Sequence, residues 1–116
     1  MGVCFNECFD EEKIKEISCS VMKANEKILD LTGQPIQLPK QVQCMNEQEI
    51  KEGAKVGAGH GLFIPPNTIK INPNMSPDGI LLNYIHENIH YVLPEASENL
   101  VDHLTDLVAY QLKINR

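Results

Sequence analysis

The stretch "IHENIHYVLPEASENLVD", residues 85–102, decides the fold predicted for this chain, because it holds His-Glu-x-x-His followed at short range by further acids. An α-helix advances about 100° per residue, so His86 and His90, four positions apart, lie on the same side of a helix. Two imidazoles one turn apart can bind one zinc ion. Glu87 lies further round, where a carboxylate can hold and deprotonate a zinc-bound water. The stretch predicts a catalytic zinc site.

The apolar residues of the same helix place both histidines at the edge of a buried face. In helical projection six apolar residues form one contiguous arc: Leu81, Leu82, Ile85, Ile89, Val92 and Leu93. His86 and His90 lie at the border of this arc, half covered and half open. A catalytic zinc needs an apolar wall behind its ligands and an open coordination position in front. The pattern is therefore typical of such a site.

Two carboxylates on the next predicted helix are candidates to complete the site. Glu98 and Asp102 lie one turn apart beside the apolar stripe of the final helix. Pro94 interrupts the helical conformation between the two predicted helices, so the second helix can fold back on the first. Glu98 can then reach the metal, and Asp102 can accept the other ring N–H of a ligand histidine, preferably His86. For both acids the alternative is a solvated helix face.

A helix, a strand and a hairpin are predicted ahead of the motif. Residues 1–9 are expected to be an irregular N-terminal segment. Apolar residues then recur at three- and four-residue spacing, which predicts a helix from Asp10 to Gly33. Apolar alternation predicts a strand in "KQVQCM", residues 40–45, and a hairpin in "LFIPPNTIKI", residues 62–71.

The remaining elements complete an α+β prediction. "NEQEIKE", residues 46–52, favours a short helical turn at best. Ser76 followed by proline begins the helix of the motif, which runs to about Leu93, and a last helix covers roughly 95–114. At 116 residues the chain is expected to be a single domain, 1–116. The predicted fold has an N-terminal helix, a small mixed three-stranded sheet and two C-terminal helices.

The pairing of "HENIH", residues 86–90, with "SENLVD", residues 97–102, resembles the active-site helix and glutamate helix of the gluzincin metallopeptidases. The resemblance is closest to the compact minigluzincins and extends over nearly the whole chain. It implies a zincin-like fold with one Zn²⁺ per chain. The site residues that it implies are the zinc ligands His86, His90 and Glu98, the general base Glu87, and Asp102 behind a histidine.

The resemblance also implies a substrate cleft along the hairpin. In such folds the strand before the one that leads to the active-site helix forms the upper rim, with Thr68–Ile71 here as the inner strand. An extended peptide would add to that rim by backbone hydrogen bonds. The rim residues would be Gly59, His60, Gly61, Leu62 and Phe63. The side chain that stabilises the oxyanion is not assigned; the candidates are His60, Tyr91, His103 and Tyr110.

The function implied is a zinc-dependent endopeptidase that cleaves peptide bonds with a metal-activated water. The alternative is a latent or catalytically silent zincin-fold module for binding or regulation, and a purely structural metal is a weaker one. In the latent case the C-terminal "YQLKINR", residues 110–116, is a candidate for self-association in the cleft of a neighbouring copy. Glu87 favours the enzyme, since a structural zinc needs no general base.

Composition excludes several other classes of function. A formal net charge of −6 gives no basic surface for nucleic acid or for an anionic membrane. The N-terminus has neither the basic start nor the apolar run of a signal peptide, so a cytoplasmic protein is expected. In that compartment the four cysteines, Cys4, Cys8, Cys19 and Cys44, are expected to be reduced thiols.

Overall fold

The N-terminal helix α1 (Glu11–Thr32) begins and ends where the sequence predicts. The computed structural model describes residues 4–34, 41–55, 60–65 and 68–114. The Asp10 carboxylate caps α1 by accepting a hydrogen bond from the Glu12 N–H at 2.9 Å. Gly33 ends α1 in the left-handed conformation, with φ of 70°, and donates its N–H to Leu29. The buried face consists of Ile17, Val21, Ala24 and Ile28.

The predicted mixed sheet of three strands is present in these ranges. The strands β1 (Val42–Cys44), β2 (Gly61–Ile64) and β3 (Thr68–Ile71) lie in the order β1-β3-β2. β1 is parallel to β3, whereas β2 and β3 form an antiparallel hairpin. Residues 66–67 of the predicted hairpin turn lie outside the described ranges. β3 is therefore the inner strand, and β2 lies at one edge of the sheet.

Helix α2 (Glu47–Lys55) is longer than the single turn that the sequence analysis allowed. Its start is fixed by a reciprocal capping pair: Asn46 Oδ1 accepts the Glu49 N–H at 2.8 Å, and Glu49 Oε1 accepts the Asn46 N–H at 3.0 Å. Lys70 Nζ lies 3.0 Å from Glu49 Oε2. The Asn46 N–H, and then Lys70, hold the pKa of the Glu49 carboxyl below its usual value. These contacts help to explain a helix with few apolar residues.

Helices α3 (Pro77–Val92) and α4 (Glu98–Gln111) form a hairpin that packs on α1 and the sheet. Ser76 Oγ caps α3 by accepting the Gly79 N–H at 3.1 Å, as predicted. Ser97 Oγ caps α4 by accepting the Leu100 N–H at 3.2 Å, so α4 begins three residues later than the predicted position 95. Glu98 is consequently the first residue of α4.

The core is centred on α3, which packs on α1, on α4 and on strands β2 and β3 of the sheet. Its fully buried members come from these three helices and from β3, among them Ile28, Ile69, Ile71, Ile85 and Val101. The four helices and the mixed sheet of the described ranges confirm the α+β class. None of these helices combines the length and the apolar character needed to cross a membrane.

The cysteines correct the sequence analysis. Cys8 and Cys44 form a disulfide across a sequence separation of 36 residues, so the prediction of reduced thiols is wrong for this pair. Cys4 and Cys19 are outside the disulfide, and both are exposed. The disulfide attaches the N-terminal segment to β1. Spacing along the chain could not predict it, because the two residues are brought together only by the fold.

Candidate metal centre

The two histidines of α3 lie side by side, as their four-residue spacing predicts. The rings of His86 and His90 are 4.9 Å apart between centroids and inclined at 71°. Both side chains are half-buried, because Ile85 and Ile89 beside them are fully buried in the core. The rings therefore have an apolar wall behind them and solvent in front.

The start of α4 brings Glu98 to both imidazoles. Glu98 Oε1 lies 2.8 Å from His86 Nε2, and Glu98 Oε2 lies 3.0 Å from His90 Nε2. The Glu98 side chain is 63% exposed, so an ion from solvent can reach its carboxylate. Asp102, one turn later, places Oδ1 3.4 Å from His86 Nδ1. The structure thus brings together the ligands and the orienting acid that the sequence predicts.

The donor atoms fit a metal ion. Two overlapping groups have ligand atoms within 4.8 Å of one another: His86 with Glu87 and His90, and His86 with Glu98 and Asp102. Glu98 links the two groups, because one of its oxygens contacts His86 Nε2 and the other contacts His90 Nε2. Two imidazole nitrogens and a carboxylate oxygen are a common donor set for catalytic zinc, which keeps its fourth position open.

The protonation state of His86 suits a ligand. Burial lowers the pKa of His86, and His90 lowers it further, against the opposing charges of Glu98 and Asp102. The imidazole is therefore neutral at pH 7 and has a lone pair for a metal. In the metal-bound state Nδ1–H would donate to Asp102 while Nε2 binds the ion.

Glu87 is the most strongly perturbed acid near this centre. Its side chain is only 6% exposed, and burial raises the pKa of Glu87 to about 8, with a further contribution from the charge of Glu98. Its Oε2 would lie 3.0 Å from a Cβ atom built on Gly61, so the carboxyl faces β2. A carboxyl group with a pKa near neutrality, placed beside a metal site, suits proton transfer.

A cleft of about 460 Å³ opens beside His86 and Glu87. One wall is the start of β2, with His60 and Gly61, and the opposite wall is α3 with Leu82 and Asn83. Glu98 and Asp102 close the end of the cleft on the α4 side. The space has the dimensions of a small-molecule or peptide site, and it contains the candidate metal ligand His86.

Two of the predicted rim residues line this cleft. His60 and Gly61 line it, and the His60 carbonyl accepts the Asn72 N–H at 2.9 Å. Leu62 lies in β2 but is not among the lining residues. Gly59 lies outside the described residues. The part of the rim that faces the candidate metal centre is therefore the start of β2.

The candidates for oxyanion stabilisation are separated by the same geometry. His60 lines the cleft. Tyr91 stacks on Phe63, with ring centroids 5.6 Å apart, and does not line the cleft. His103 is exposed, and Tyr110, at 83% exposure, lies near the end of α4. Of the four, His60 alone contributes to the walls of the described cleft.

Asn83 is a cleft residue that the sequence analysis missed. Its Nδ2 donates to the Gly79 carbonyl at 2.8 Å and to Met75 Sδ at 3.3 Å. Its Oδ1 is thereby directed towards β2 and would lie 3.1 Å from a Cβ atom on Gly61. The available signal was spacing, because Asn83 precedes His86 by three residues and so lies on the same side of α3.

Comparison with known proteins adds no family to this geometry. No protein-family model, no curated protein and no solved structure matches the chain.

Proposed function

We propose that this protein is a zinc-dependent endopeptidase that hydrolyses peptide bonds with water as the nucleophile. The observation that carries the proposal is the position of Glu98, whose two carboxylate oxygens lie 2.8 and 3.0 Å from the Nε2 atoms of His86 and His90. A carboxylate from a second helix is the third ligand that two histidines on one helix need. The buried acid Glu87 lies next to this set.

The proposed ligands are His86, His90 and Glu98, with one Zn²⁺ per chain. When bound, zinc supplies a Lewis acid that polarises the scissile carbonyl and lowers the pKa of a water molecule. Asp102 holds the His86 ring by accepting its Nδ1–H, which fixes the tautomer that leaves Nε2 free for the ion.

Glu87 is the proposed general base and acid. Its carboxylate accepts the proton of the attacking water and then donates that proton to the leaving amine, so no covalent intermediate with the enzyme is needed. Burial raises the pKa of Glu87 to about 8 in the metal-free protein, and the positive charge of a bound zinc ion would lower it again, towards the ionised form that a general base needs. Its placement against Gly61 puts the carboxyl on the wall of the cleft.

The proposed substrate is a peptide in extended conformation. β2 is an edge strand, so its outer backbone groups can pair with an added strand, and Gly61 allows close approach of another backbone. The cleft is lined by the start of this strand and by His86, Glu87 and Glu98, so a peptide paired with β2 would lie beside two of the proposed zinc ligands and the proposed base.

Metal analysis combined with a hydrolysis assay tests the proposal. Purified protein should contain about one zinc per chain and should cleave casein or a quenched fluorescent peptide in a chelator-sensitive manner. Glu87→Gln should retain the zinc and lose hydrolysis, whereas Glu95→Gln, an exposed acid in the turn before α4, should behave as wild type.

The outcomes separate the alternatives. Chelator-insensitive hydrolysis, or full activity in Glu87→Gln, would contradict the proposed mechanism. Stoichiometric zinc without hydrolysis under any condition would favour the alternative of a silent binding or regulatory module. Absence of zinc would refute the metal site itself.

A further inference from the structure

The disulfide between Cys8 and Cys44 has no part in the proposed chemistry, yet it fixes a segment that contacts the helix of the candidate metal centre. We call residues 4–9 the N-terminal segment. Cys8 is exposed in this segment, and Cys44 is half-buried in β1. A disulfide formed by an exposed cysteine offers a thiolate a route of attack from solvent.

The N-terminal segment lies along β1 in a parallel direction. The Val42 N–H donates to the Cys4 carbonyl at 2.7 Å, and the Asn6 N–H donates to the Val42 carbonyl at 3.0 Å. Phe5 thus forms an isolated parallel bridge with Val42. The segment covers the edge of the sheet opposite β2, and the disulfide fastens its far end to the same strand.

The aromatic residues of the segment connect it to α3. Phe9 is only 5% exposed and belongs to the core, and Phe5 packs edge-on against it with ring centroids 5.3 Å apart. Phe5 also lies 6.1 Å from the ring of Tyr84, which is fully buried on α3 two residues before His86. The Tyr84 hydroxyl donates to Asn25 Oδ1 on α1 at 2.7 Å. The segment therefore supports the buried side of α3, behind the histidines.

We propose that the Cys8–Cys44 disulfide is a redox latch for this part of the fold. In the oxidised state it holds the N-terminal segment against β1 and Tyr84. In the reduced state the segment is released, the packing behind α3 loosens and the histidines lose part of their support. The latch itself is independent of the proposed enzyme activity, whereas its effect on zinc rests on the proposed metal site.

The reduction balances with a dithiol as reductant. A thiolate of the dithiol attacks Sγ of Cys8, the more exposed residue of the pair, and Cys44 leaves as a thiolate. The second thiol of the reductant then displaces Cys8 from the mixed disulfide. Two electrons and two protons pass to the protein, which now carries two thiols, and the reductant becomes a disulfide.

The expected effects follow from the length of the closed loop and the position of the segment. A cross-link that spans 36 residues restricts the unfolded chain strongly, so reduction should lower the melting temperature by about 10–20 °C. Amide exchange should accelerate in the N-terminal segment and in α3 around Tyr84. Zinc affinity should fall by about tenfold, the lower end of the loss when supporting contacts of a metal site are removed.

The test uses a protein with Cys4→Ser and Cys19→Ser, which removes both free exposed thiols and leaves the disulfide pair. Hydrogen exchange and thermal melting are compared in the oxidised form, after dithiol reduction, and after reoxidation, all without metal. Zinc affinity is measured separately, free of reductant, on Cys8→Ser with Cys44→Ser against a chelating dye. The Cys19→Ser single variant is the control and should match wild type.

Exchange that accelerates on reduction more in the N-terminal segment and α3 than in α4, and that is reversed by reoxidation, would support the latch even if the double serine variant does not fold. Equal acceleration in α3 and α4 would show only a loss of global stability and would overturn it. Equal exchange of α3 in the two redox states would overturn it and leave the disulfide as a surface cross-link. If neither form binds zinc, the proposed function fails, and exchange in α3 still decides the latch.

Discussion

Asp102 lies 3.4 Å from Nδ1 of His86, on the opposite side of the imidazole from the nitrogen that Glu98 contacts. The two acids of α4 therefore meet different atoms of one ring. An acid on Nε2 shares the atom that would bind the metal in the proposed site, whereas an acid on Nδ1 can orient the ring by accepting its N–H. This difference gives the two carboxylates separable roles.

Replacement of each acid should reveal those roles. Glu98→Ala should nearly abolish zinc binding, because it removes a ligand. Asp102→Asn should weaken zinc binding by about 10–100-fold, because it removes an orienting partner. Titration of zinc against a chelating dye measures both affinities.

Glu95→Ala is the matched control, since Glu95 is exposed and lies in the same turn region without contact to either histidine among the contacts described. The reverse order of effects would make Asp102 the ligand. Small and equal effects would assign both acids to a solvated helix surface.

A methyl group on Gly61 should impair catalysis without removing zinc. In Gly61→Ala the new Cβ atom would lie 3.0 Å from Glu87 Oε2 and 3.1 Å from Asn83 Oδ1, so the carboxyl must shift. Because the geometry of a general base controls proton transfer, we expect kcat to fall by at least about tenfold. Steady-state kinetics and zinc content are measured together. Ile64→Ala, an exposed position at the other end of β2, is the control; a larger loss there would argue against the contact.

The stability of the metal-free protein should fall as the pH rises. Burial raises the pKa of Glu87 to about 8 in the folded protein, above the ordinary value of 4.5, so the folded state binds the proton more tightly than the unfolded state. Unfolding then releases a proton between these values, and the free energy of unfolding falls across that pH window, by on the order of a few kcal/mol. Denaturant unfolding in chelator at several pH values measures this fall.

Glu87→Gln should flatten that profile and be more stable than wild type near pH 8, because the amide stays neutral. The contribution of Glu49 to stability should depend on pH in the opposite direction, so Glu49→Gln should be less stable than wild type at neutral pH. The lowered pKa of Glu49 stabilises the fold above its unfolded pKa, and that contribution is lost as the pH falls through the folded value. Parallel profiles for Glu87→Gln and wild type would mean that Glu87 is ionised in the folded protein.

The buried hydroxyl of Tyr84 should contribute measurably to stability. Tyr84→Phe removes its hydrogen bond to Asn25 and should cost about 0.5–1.5 kcal/mol, a few degrees of melting temperature. Tyr110→Phe is the matched control and should have no effect, because Tyr110 is 83% exposed. Equal melting temperatures for the two variants would mean that water replaces the Asn25 contact.

Local signals in the sequence predicted most of the fold. The caps of α1 and α3 depend on Asp10, Gly33 and Ser76, whose conformational preferences act within a few residues. The alternation of Ile69 and Ile71 marked β3, since both side chains point into the core. The start of α4 was placed too early, because Pro94 and Glu95 fit a first turn but the Ser97 cap fixes the later start.

The candidate site was predictable to the same extent. Four-residue spacing puts two histidines on one face of α3 and two acids on one face of α4, and packing of the helices brings these faces together. The residues are His86, His90, Glu98 and Asp102. Asn83 was overlooked because an amide carries no metal or acid–base signature. Its role depends on Gly61, which the fold brings close from β2.

Two features of the fold were not predicted from the sequence. The spacing of Asn46 and Glu49 is a start signal for α2 that the sequence contains, although the helix has few apolar residues. The disulfide could not be predicted from the sequence, because Cys8 and Cys44 meet only after the N-terminal segment lies along β1.

The short connection between α3 and α4 also has a kinetic consequence. All candidate donors lie within residues 86–102, so the closure that brings them together has a low entropic cost. The parallel pairing of Val42 with Ile69, by contrast, joins distant parts of the chain, and such pairings form slowly. The helical hairpin can therefore assemble ahead of the sheet, and an ion that binds there would act on the folding chain as well as on the finished protein.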